Sequence, residues 1–393
     1  DLDMKGRMIV LDHVAGREAA ALLVDGKLQD LMIDDDGAPR PGAIFRAICD
    51  RPLKGQGGMM LKLPQGETAF LRQGKGLAPG QAILVQVTGY ADDGKAIPVT
   101  DRVLFKSRYA IVTPGKPGIN VSRQIKEDDV RDRVLACAHE EGVSEGFGLI
   151  LRSSCEDGPD ADIIEDIAAM DALASAIMAD TDGSAELLTE GDGPHALAWR
   201  EWGEAAHVST QDGGFEDHGV LDQLATLASA RVVLDGAAFM YVEPTRALIA
   251  VDVNTGGDTS PASSLKANLA ASKALPRALR LRGLGGQVVI DMAPMSKAHR
   301  KQVEAALRSA FRADNIDTAL VGWTPLGHYE LQRKRERLPI PRVVLYWLAR
   351  FAKKRRCQRF ARFVPSAALT WIWANGWAVA TQLHPPILMT QTI

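Results

Sequence analysis

Hydrophobic and polar residues alternate in short runs over most of the first hundred positions. Met8-Ile-Val-Leu11 and Glu18-Ala-Ala-Ala-Leu-Leu-Val24 read as strands, Asp25-Gly26 as a tight turn, and Asp34-Asp-Asp-Gly37 as a break. The runs Gly42 to Cys49, Gly58 to Leu63, Glu67 to Leu71 and Ala82 to Val87 follow, punctuated by glycine and proline, and predict a small antiparallel barrel of the OB type. The period then changes. Tyr109 to Val112 and Gly146 to Leu151 read as strands, and residues 180–194 as loop. Glu127 to Glu141, Ile163 to Met178 and Glu216 to Leu227 carry helical spacing. Strands are predicted at Arg231 to Asp235, Ala238 to Val242, Ala247 to Asp252, Gln287 to Met292 and, as the last, Thr318 to Val321. Helices over Ser264 to Leu281 and Lys297 to Arg312 separate them. Ser260-Pro261 is a helix start and Gly283 a stop, while Pro276 predicts a kink or a split. No period of 20–50 residues repeats, so a solenoid is excluded.

The 393 residues suffice for two or three domains, and 46% apolar with 24% charged content is that of a globular chain. A net charge of −3 speaks against a dedicated basic nucleic-acid module, though not against a local basic groove around an acidic centre. Cys49, Cys137, Cys155 and Cys357 form no CxxC pair, which predicts neither zinc nor disulfides and points to a reducing cytoplasm. The first seven residues lack the apolar run of a signal peptide, and Met4 reads as the start. Beyond residue 340 the composition shifts. Pro341 to Arg362 is basic, including Lys353-Lys-Arg-Arg356, and four of the seven tryptophans (Trp347, Trp371, Trp373, Trp377) lie there. Ala367 to Ala380 is short and polar for a membrane span, so no stable insertion is expected; an interfacial anchor is the alternative. We read this tail as never selected for a core, as a shifted reading frame would leave it.

The candidate chemistry gathers at strand ends. Asp252 and Asp291 close two strands separated by one helix, so their carboxylates can meet, and a divalent cation would offset their repulsion. Asn254, two residues on, would face the same side and hold a water or a phosphate. The alternative is that both aspartates cap turns, as Asp258 is expected to do. Phe70, with Arg72, Lys75 and Lys95 near it in sequence, is either a base-stacking ring on the barrel or barrel core. Arg152, Ser153 and Ser154 offer a guanidinium fork and hydroxyls to a phosphate, or else cap a strand end. Lys266, Lys273, Arg277, Arg280 and Arg282, with the dense segment holding Arg333, Lys334, Arg335 and Arg337, read as a basic groove.

The segment Val-Asp252-Val-Asn254-Thr, followed by Leu279-Arg-Leu-Arg-Gly-Leu-Gly-Gly-Gln-Val-Val-Ile-Asp291-Met292, resembles the catalytic core of the ribonuclease E/G family. Met4 to Arg7, Gly146 to Ser153 and Leu326 to Arg337 match family segments in the same order. The resemblance implies an α/β fold: an RNase H-like region interrupted by an OB-fold β-barrel, then a DNase I-like α/β domain. The implied boundaries are 4–36 and 108–220 for the RNase H-like parts, 37–107 for the barrel and 221–340 for the catalytic domain, with 341–393 unassigned. It implies Mg²⁺-dependent cleavage of single-stranded RNA to 5′-phosphate and 3′-hydroxyl products, with Mn²⁺ as a substitute. Asp252 and Asp291 would hold the metal, Asn254 would support it, and Arg152 with Ser153 would sit in a pocket for a 5′-monophosphate. Phe70, Lys95, Arg333, Lys334 and Arg335 would contact RNA.

Four departures stand beside it. The loop Gly256 to Ser263 is trimmed, and no arginine lies near Asn315 to Thr318 for the 5′ pocket. Leu77 stands near an expected aromatic, and the paired cysteines of an intersubunit zinc link are missing, so any homodimer would form without it. The competing expectations are a non-catalytic RNA-binding protein on the same fold, and a phosphoesterase for DNA or a small nucleotide.

Overall fold

A computed structural model describes residues 6–340, except residues 15, 35, 36, 54, 56, 93, 204, 206, 259 and 261. The expectations for Met4, Pro261 and the tail 341–393 fall outside the described residues. The described residues form two compact units, one from the chain before residue 36 together with the chain from residue 205 on, the other from residues 36–204.

The first unit begins with an antiparallel meander, β1 (Arg7–Val14), β2 (Arg17–Val24) and β3 (Lys27–Ile33). Asp25 and Gly26 both take positive φ, 48° and 72°, as a two-residue hairpin turn between right-twisted strands requires.

The second unit holds the predicted barrel. Its strands are β4 (Ile44–Leu53), β5 (Gly58–Lys62), β6 (Thr68–Leu71), β7 (Ala82–Val87) and β8 (Ile97–Thr100). They pair in the order β4-β5-β6-β8-β7, and β7 returns to β4, closing a five-stranded OB-like barrel. Alternation places Phe45, Ala47, Leu61, Ala69, Leu71, Val85 and Val99 inside it. The rest of the unit comprises β9 (Phe105–Lys106), β10 (Ala110–Pro114), β11 (Gly118–Val121), α1 (Asp128–Glu141), β12 (Phe147–Leu151), α2 (Asp160–Ala179), β13 (Glu186–Thr189) and α3 (Pro194–Glu201). The strands β11-β12-β10-β9 form a sheet, and Val112, Leu149 and Leu151 pack with Val134 of α1 and Ile163 and Ile167 of α2. Part of the predicted loop 180–194 is the strand β13, paired with β4; the buried guanidinium of Arg46 joins Asp180 and Glu186 there.

The chain then re-enters the first unit. A short strand, β14 (His207–Ser209), lies parallel to β1. The helix expected over Glu216 to Leu227 is two pieces, α4 (Gly214–Asp217) and α5 (Val220–Thr226), divided at Gly219, whose φ of 68° no helix accepts. A six-stranded sheet follows, built from β15 (Arg231–Val233), β16 (Phe239–Pro244), β17 (Ile249–Asn254), β18 (Gly286–Asp291), β19 (Thr318–Trp323) and β20 (Tyr329–Arg333). Its order is β15-β16-β17-β18-β20-β19, and only β17 and β18 run parallel. The crossover between them is α6 (Ser263–Leu281), while α7 (Lys297–Arg312) follows β18.

One face of this sheet is dry. Val251, Val253, Val288, Ile290, Tyr329 and Leu331 pack against Ala271, Leu275 and Leu279 of α6 and Val303, Leu307 and Phe311 of α7. The apolar residues of both helices recur every three or four positions, which is the stripe a helix needs to cover a sheet. Three expectations need correction. The helix α6 starts at Ser263 rather than Ser260, whose carbonyl accepts from Ser263 N. It runs through Pro276 unsplit, because its neighbours Leu275 and Leu279 are locked in the core. The dense basic segment is no surface groove at its start: it contains β20, an interior strand of the sheet.

Candidate metal centre and nucleic-acid surfaces

The other face of the six-stranded sheet carries the polar chemistry. Alternation along β17 buries Val251 and Val253 and turns Asp252 and Asn254 outward; β18 does the same with Ile290 and Asp291. Asp252 and Asp291 are direct register partners in the parallel pair, and both are exposed. Neighbouring strands run about 4.8 Å apart, so two negative charges face each other across one strand spacing, an unfavourable arrangement until a cation joins them. Asn254 Nδ2 donates to Asp252 Oδ2 at 2.8 Å and fixes the orientation of that carboxylate.

Two more side chains extend the row. Tyr241 of β16 is the register partner of Asp252. On the far side, Ile290 pairs with Tyr329, so the next step brings His328 opposite Asp291; His328 Nε2 lies 3.8 Å from Asp291 Oδ1. Asp258 accepts from Ser260 N at 2.8 Å, the turn role expected of it, and these hydrogen bonds to Ser260 hold its carboxyl below the ordinary value. The donor set fits a hard divalent cation: two exposed carboxylates side by side, an amide, and room for water and phosphate oxygens.

The expected RNA contacts distribute unevenly. Phe70 is half-buried, between the inward Ala69 and Leu71, so it faces outward and is not barrel core. Its ring lies across Gly58, where a Cβ would come within 2.3 Å of Cε2. Met60 and Pro98 flank it in register on the same outer face. Lys95 is exposed and pairs with Asp92 at 2.7 Å. Arg152 is spent internally: it donates to Ser107 O at 2.6 Å and pairs with Glu201 at 2.5 Å, so its fork is not presented to a phosphate. Burial pushes the Glu201 carboxyl up, but the charges of Arg152 and Arg200 outweigh this and hold it below its ordinary value. Ser153 is half-buried beside it.

The basic groove is the largest correction. Arg333 is buried, 2.7 Å from Asp314, with Thr318 Oγ1 at 3.0 Å, because the alternation of β20 turns it to the dry face with Tyr329 and Leu331. Arg277 donates to Leu28 O, Arg280 joins Asp314, and Arg282 donates to Ser229 O at 3.0 Å. Arg337 reaches Asp30 at 3.3 Å. These arginines knit the first unit together, and α6 lies on the sheet face opposite the aspartates. Arg335 lies against Gly286, and Lys334 is half-exposed with Asp317 at 3.1 Å. Lys266 and Lys273 stay exposed.

Sequence comparison decides the kinship. The family model described as the ribonuclease E/G family matches residues 105–202 and 201–336. The chain belongs to the ribonuclease E/G family. Among relatives, ribonuclease E of Nostoc sp. is 29% identical over 301 residues, covering 66% of this chain and 44% of that protein. Ribonuclease G of Salmonella typhimurium is 25% identical over 304 residues, covering 67% of this chain and 62% of its own length. Ribonuclease E of Synechocystis sp. is 26% identical over 377 residues, covering 81% of this chain and 56% of the relative. The chain thus spans about half to three-fifths of the relatives it matches.

Within this ribonuclease E/G family chain the aspartate row falls in the matched stretch, whereas the barrel strands precede it. Sequence reasoning missed His328, whose signal was the alternation of β20 continued one residue back. It also missed a second cluster, Asp12, His13 and Asp212, whose ligand atoms lie within 4.8 Å of one another. Asp12 there accepts from His13 N at 2.7 Å and Phe215 N at 2.8 Å, which ties the end of β1 to the start of α4. Trp199, 65% exposed with the Arg108 guanidinium 4.1 Å from its ring centroid, was unread too. Cys49, Cys137 and Cys155 are buried and unbridged, and burial pushes the Cys155 thiol up to about 12, which keeps it protonated. Among the described residues no helix is long and apolar enough to cross a membrane.

Proposed function

We propose that this chain is a metal-dependent endoribonuclease that cuts single-stranded RNA in RNA processing or decay in the cytoplasm, leaving 5′-phosphate and 3′-hydroxyl ends. The observation that carries the reading is the facing register of Asp252 and Asp291 on the open sheet face, inside the stretch that matches the family. Relatives named ribonuclease E and ribonuclease G support it. In this reading residues 4–36 and 108–220 form an RNase H-like region interrupted by the barrel, and 221–340 a DNase I-like domain.

Asp252 and Asp291 hold the cation, for which Mg²⁺ is the natural candidate with oxygen donors and Mn²⁺ a substitute. When bound, it supplies Lewis-acid charge at the phosphate and lowers the pKa of an attacking water. Asn254 uses its amide nitrogen to hold Asp252 in one orientation and leaves its carbonyl oxygen to position a water. Phe70, with Met60 and Pro98 beside it, supplies an apolar patch on which an unpaired base stacks, an interaction worth about 1–3 kcal/mol. Lys95 and Lys334 add screened attraction to the backbone. Arg152 acts by holding the loop that carries Ser153, not by gripping a 5′-phosphate itself.

The test compares 5′-monophosphorylated and 5′-hydroxyl forms of one labelled RNA, with and without Mg²⁺, for the wild type and Asp252→Asn. Metal-dependent cleavage lost by at least about a hundredfold in the variant is expected. Binding without cleavage would instead establish the non-catalytic RNA-binding reading. Comparable rates on the two RNAs are expected from the engaged state of Arg152.

A further inference from the structure

We infer that Tyr241, braced by Phe239 and Arg231, is a stacking shelf for one unpaired base of the RNA, the base next to the phosphate held at Asp252 and Asp291. The inference rests on the endoribonuclease reading above and gives that site a subsite for the substrate's base.

Strand register sets the position of the ring. Tyr241 is the cross-strand partner of Asp252, and Phe239 that of Asn254. Alternation along β16 buries Met240 and Val242 and turns Phe239 and Tyr241 to the face that carries the aspartates. An aromatic column therefore runs beside the carboxylate column at one strand spacing, about 4.8 Å. In a nucleotide a single ribose joins base to phosphate. A phosphate at the carboxylates thus leaves its base within reach of the neighbouring column.

The ring is also open. Tyr241 is 38% exposed, which is unusual for an aromatic in an interior strand of a sheet. Ala250, the outward residue before Asp252 on β17, pairs with Glu243 and adds little bulk beside it. A neutral base can settle there without opposing the charge of the aspartates.

Neighbouring side chains fix its tilt. The rings of Phe239 and Tyr241 meet edge to face, with centroids 5.5 Å apart and planes at 81°. The Arg231 guanidinium lies 4.2 Å from the Phe239 centroid and backs that ring in turn. Arg231 and Val233 are the register partners of Tyr241 and Phe239 on the edge strand β15. A ring held this way loses little freedom when a base lands on it. Arg231 pairs with no carboxylate among the described residues, so its charge stays available to the RNA backbone beyond the ring.

Stacking sets the specificity. Every base has a π-face, so an aromatic shelf accepts all four and reads no sequence. A base inside a duplex keeps its faces against its neighbours, whereas an unpaired base can be splayed onto a side chain. The shelf therefore selects single-stranded RNA at the cut itself.

The experiment uses the full chain, Mg²⁺ and one labelled single-stranded RNA along which an abasic residue is moved position by position. Wild type, Tyr241→Phe and Tyr241→Thr are compared by kcat/KM, each checked by thermal melting. Threonine keeps a strand-forming side chain without a ring; Tyr241→Leu replaces that variant if it melts early. We expect one abasic position beside the cut to lower the wild-type value on the order of tenfold. Tyr241→Thr should lose as much on intact RNA and nothing further at that abasic position, while Tyr241→Phe stays within about twofold of the wild type. A loss in Tyr241→Thr that is equal on intact and abasic RNAs overturns the shelf and leaves the aspartate centre standing. So does a wild type indifferent to every abasic position. RNA bound but uncut by the wild type overturns the endoribonuclease reading instead, and the same comparison made on Kd then judges the shelf alone.

Discussion

Arg333 and Asp314 meet where their side chains are 0% and 1% exposed. Removing one partner of a buried ion pair costs about 3–5 kcal/mol when it strands the other charge; Asp314 keeps Arg280 as a second partner, so the loss here falls below that range while a fully buried site is emptied. Arg333→Ala should therefore lower the urea midpoint, while RNA affinity per folded molecule stays unchanged; selective loss of RNA binding without loss of stability would contradict the burial. Glu201 gives the pH-dependent counterpart. Its carboxyl is depressed in the folded chain, burial notwithstanding, by Arg152 and Arg200. A group of this kind contributes stability that is fully present above its ordinary unfolded value and is lost as pH falls through the lower folded one. Unfolding midpoints measured from pH 7 down to pH 3 should fall less steeply for Glu201→Gln than for the wild type. These residues also mark what was legible. Asp252 and Asp291 could be read because each ends a strongly apolar run. Arg333 could not, because the charges from Arg333 to Arg337 mask a period of two in which Tyr329, Leu331 and Arg333 share the inward face. His328 was hidden for a related reason: its partner is set by strand order, which one sequence does not display.

At the scale of elements, long periodic segments were read closely; α7 runs from Lys297 to Arg312 as its spacing predicts. Short strands were lost. β13 and β11 have four residues each, among glycines and acids, and gain their definition from β4 and β12 instead of their own pattern. Pro276 misled because local propensity was weighed without packing. A proline inside a helix costs about 3 kcal/mol, and the burial of Leu275, Ala278 and Leu279 around it offsets that. The helix stop was read correctly, for a stronger reason than its sequence suggests. Gly283 has φ of 63°, and a Cβ there would lie 1.8 Å from the carbonyl oxygen of Leu338. Gly283→Ala should cost more than about 1 kcal/mol in urea unfolding, since strain and collision act together. An unchanged midpoint would mean that the segment after β20 does not pack against this turn.

For the whole molecule, even spacing of short strands disclosed the barrel, because closure leaves every strand half-buried and alternating. The divided first unit was harder to see, since its two segments join through the three-residue β14 and the shared core of Leu23, Leu28, Phe215, Leu224 and Leu281. That division has a consequence during synthesis. Strands β1 to β3 emerge before the inserted unit, but the strand that covers the outer edge of β1 begins at residue 207, about 170 residues later. At roughly 5–20 residues per second the ribosome needs about ten to thirty seconds to deliver it. Throughout that interval the nascent meander has an open pairing edge and lacks the residues that complete its core. A chain arrested before residue 205 should leave the amides of β1 unprotected in hydrogen exchange, whereas the finished chain protects them. For this fold strands made before the inserted unit are secured only after it, so chaperone demand should track the pace of translation across that unit.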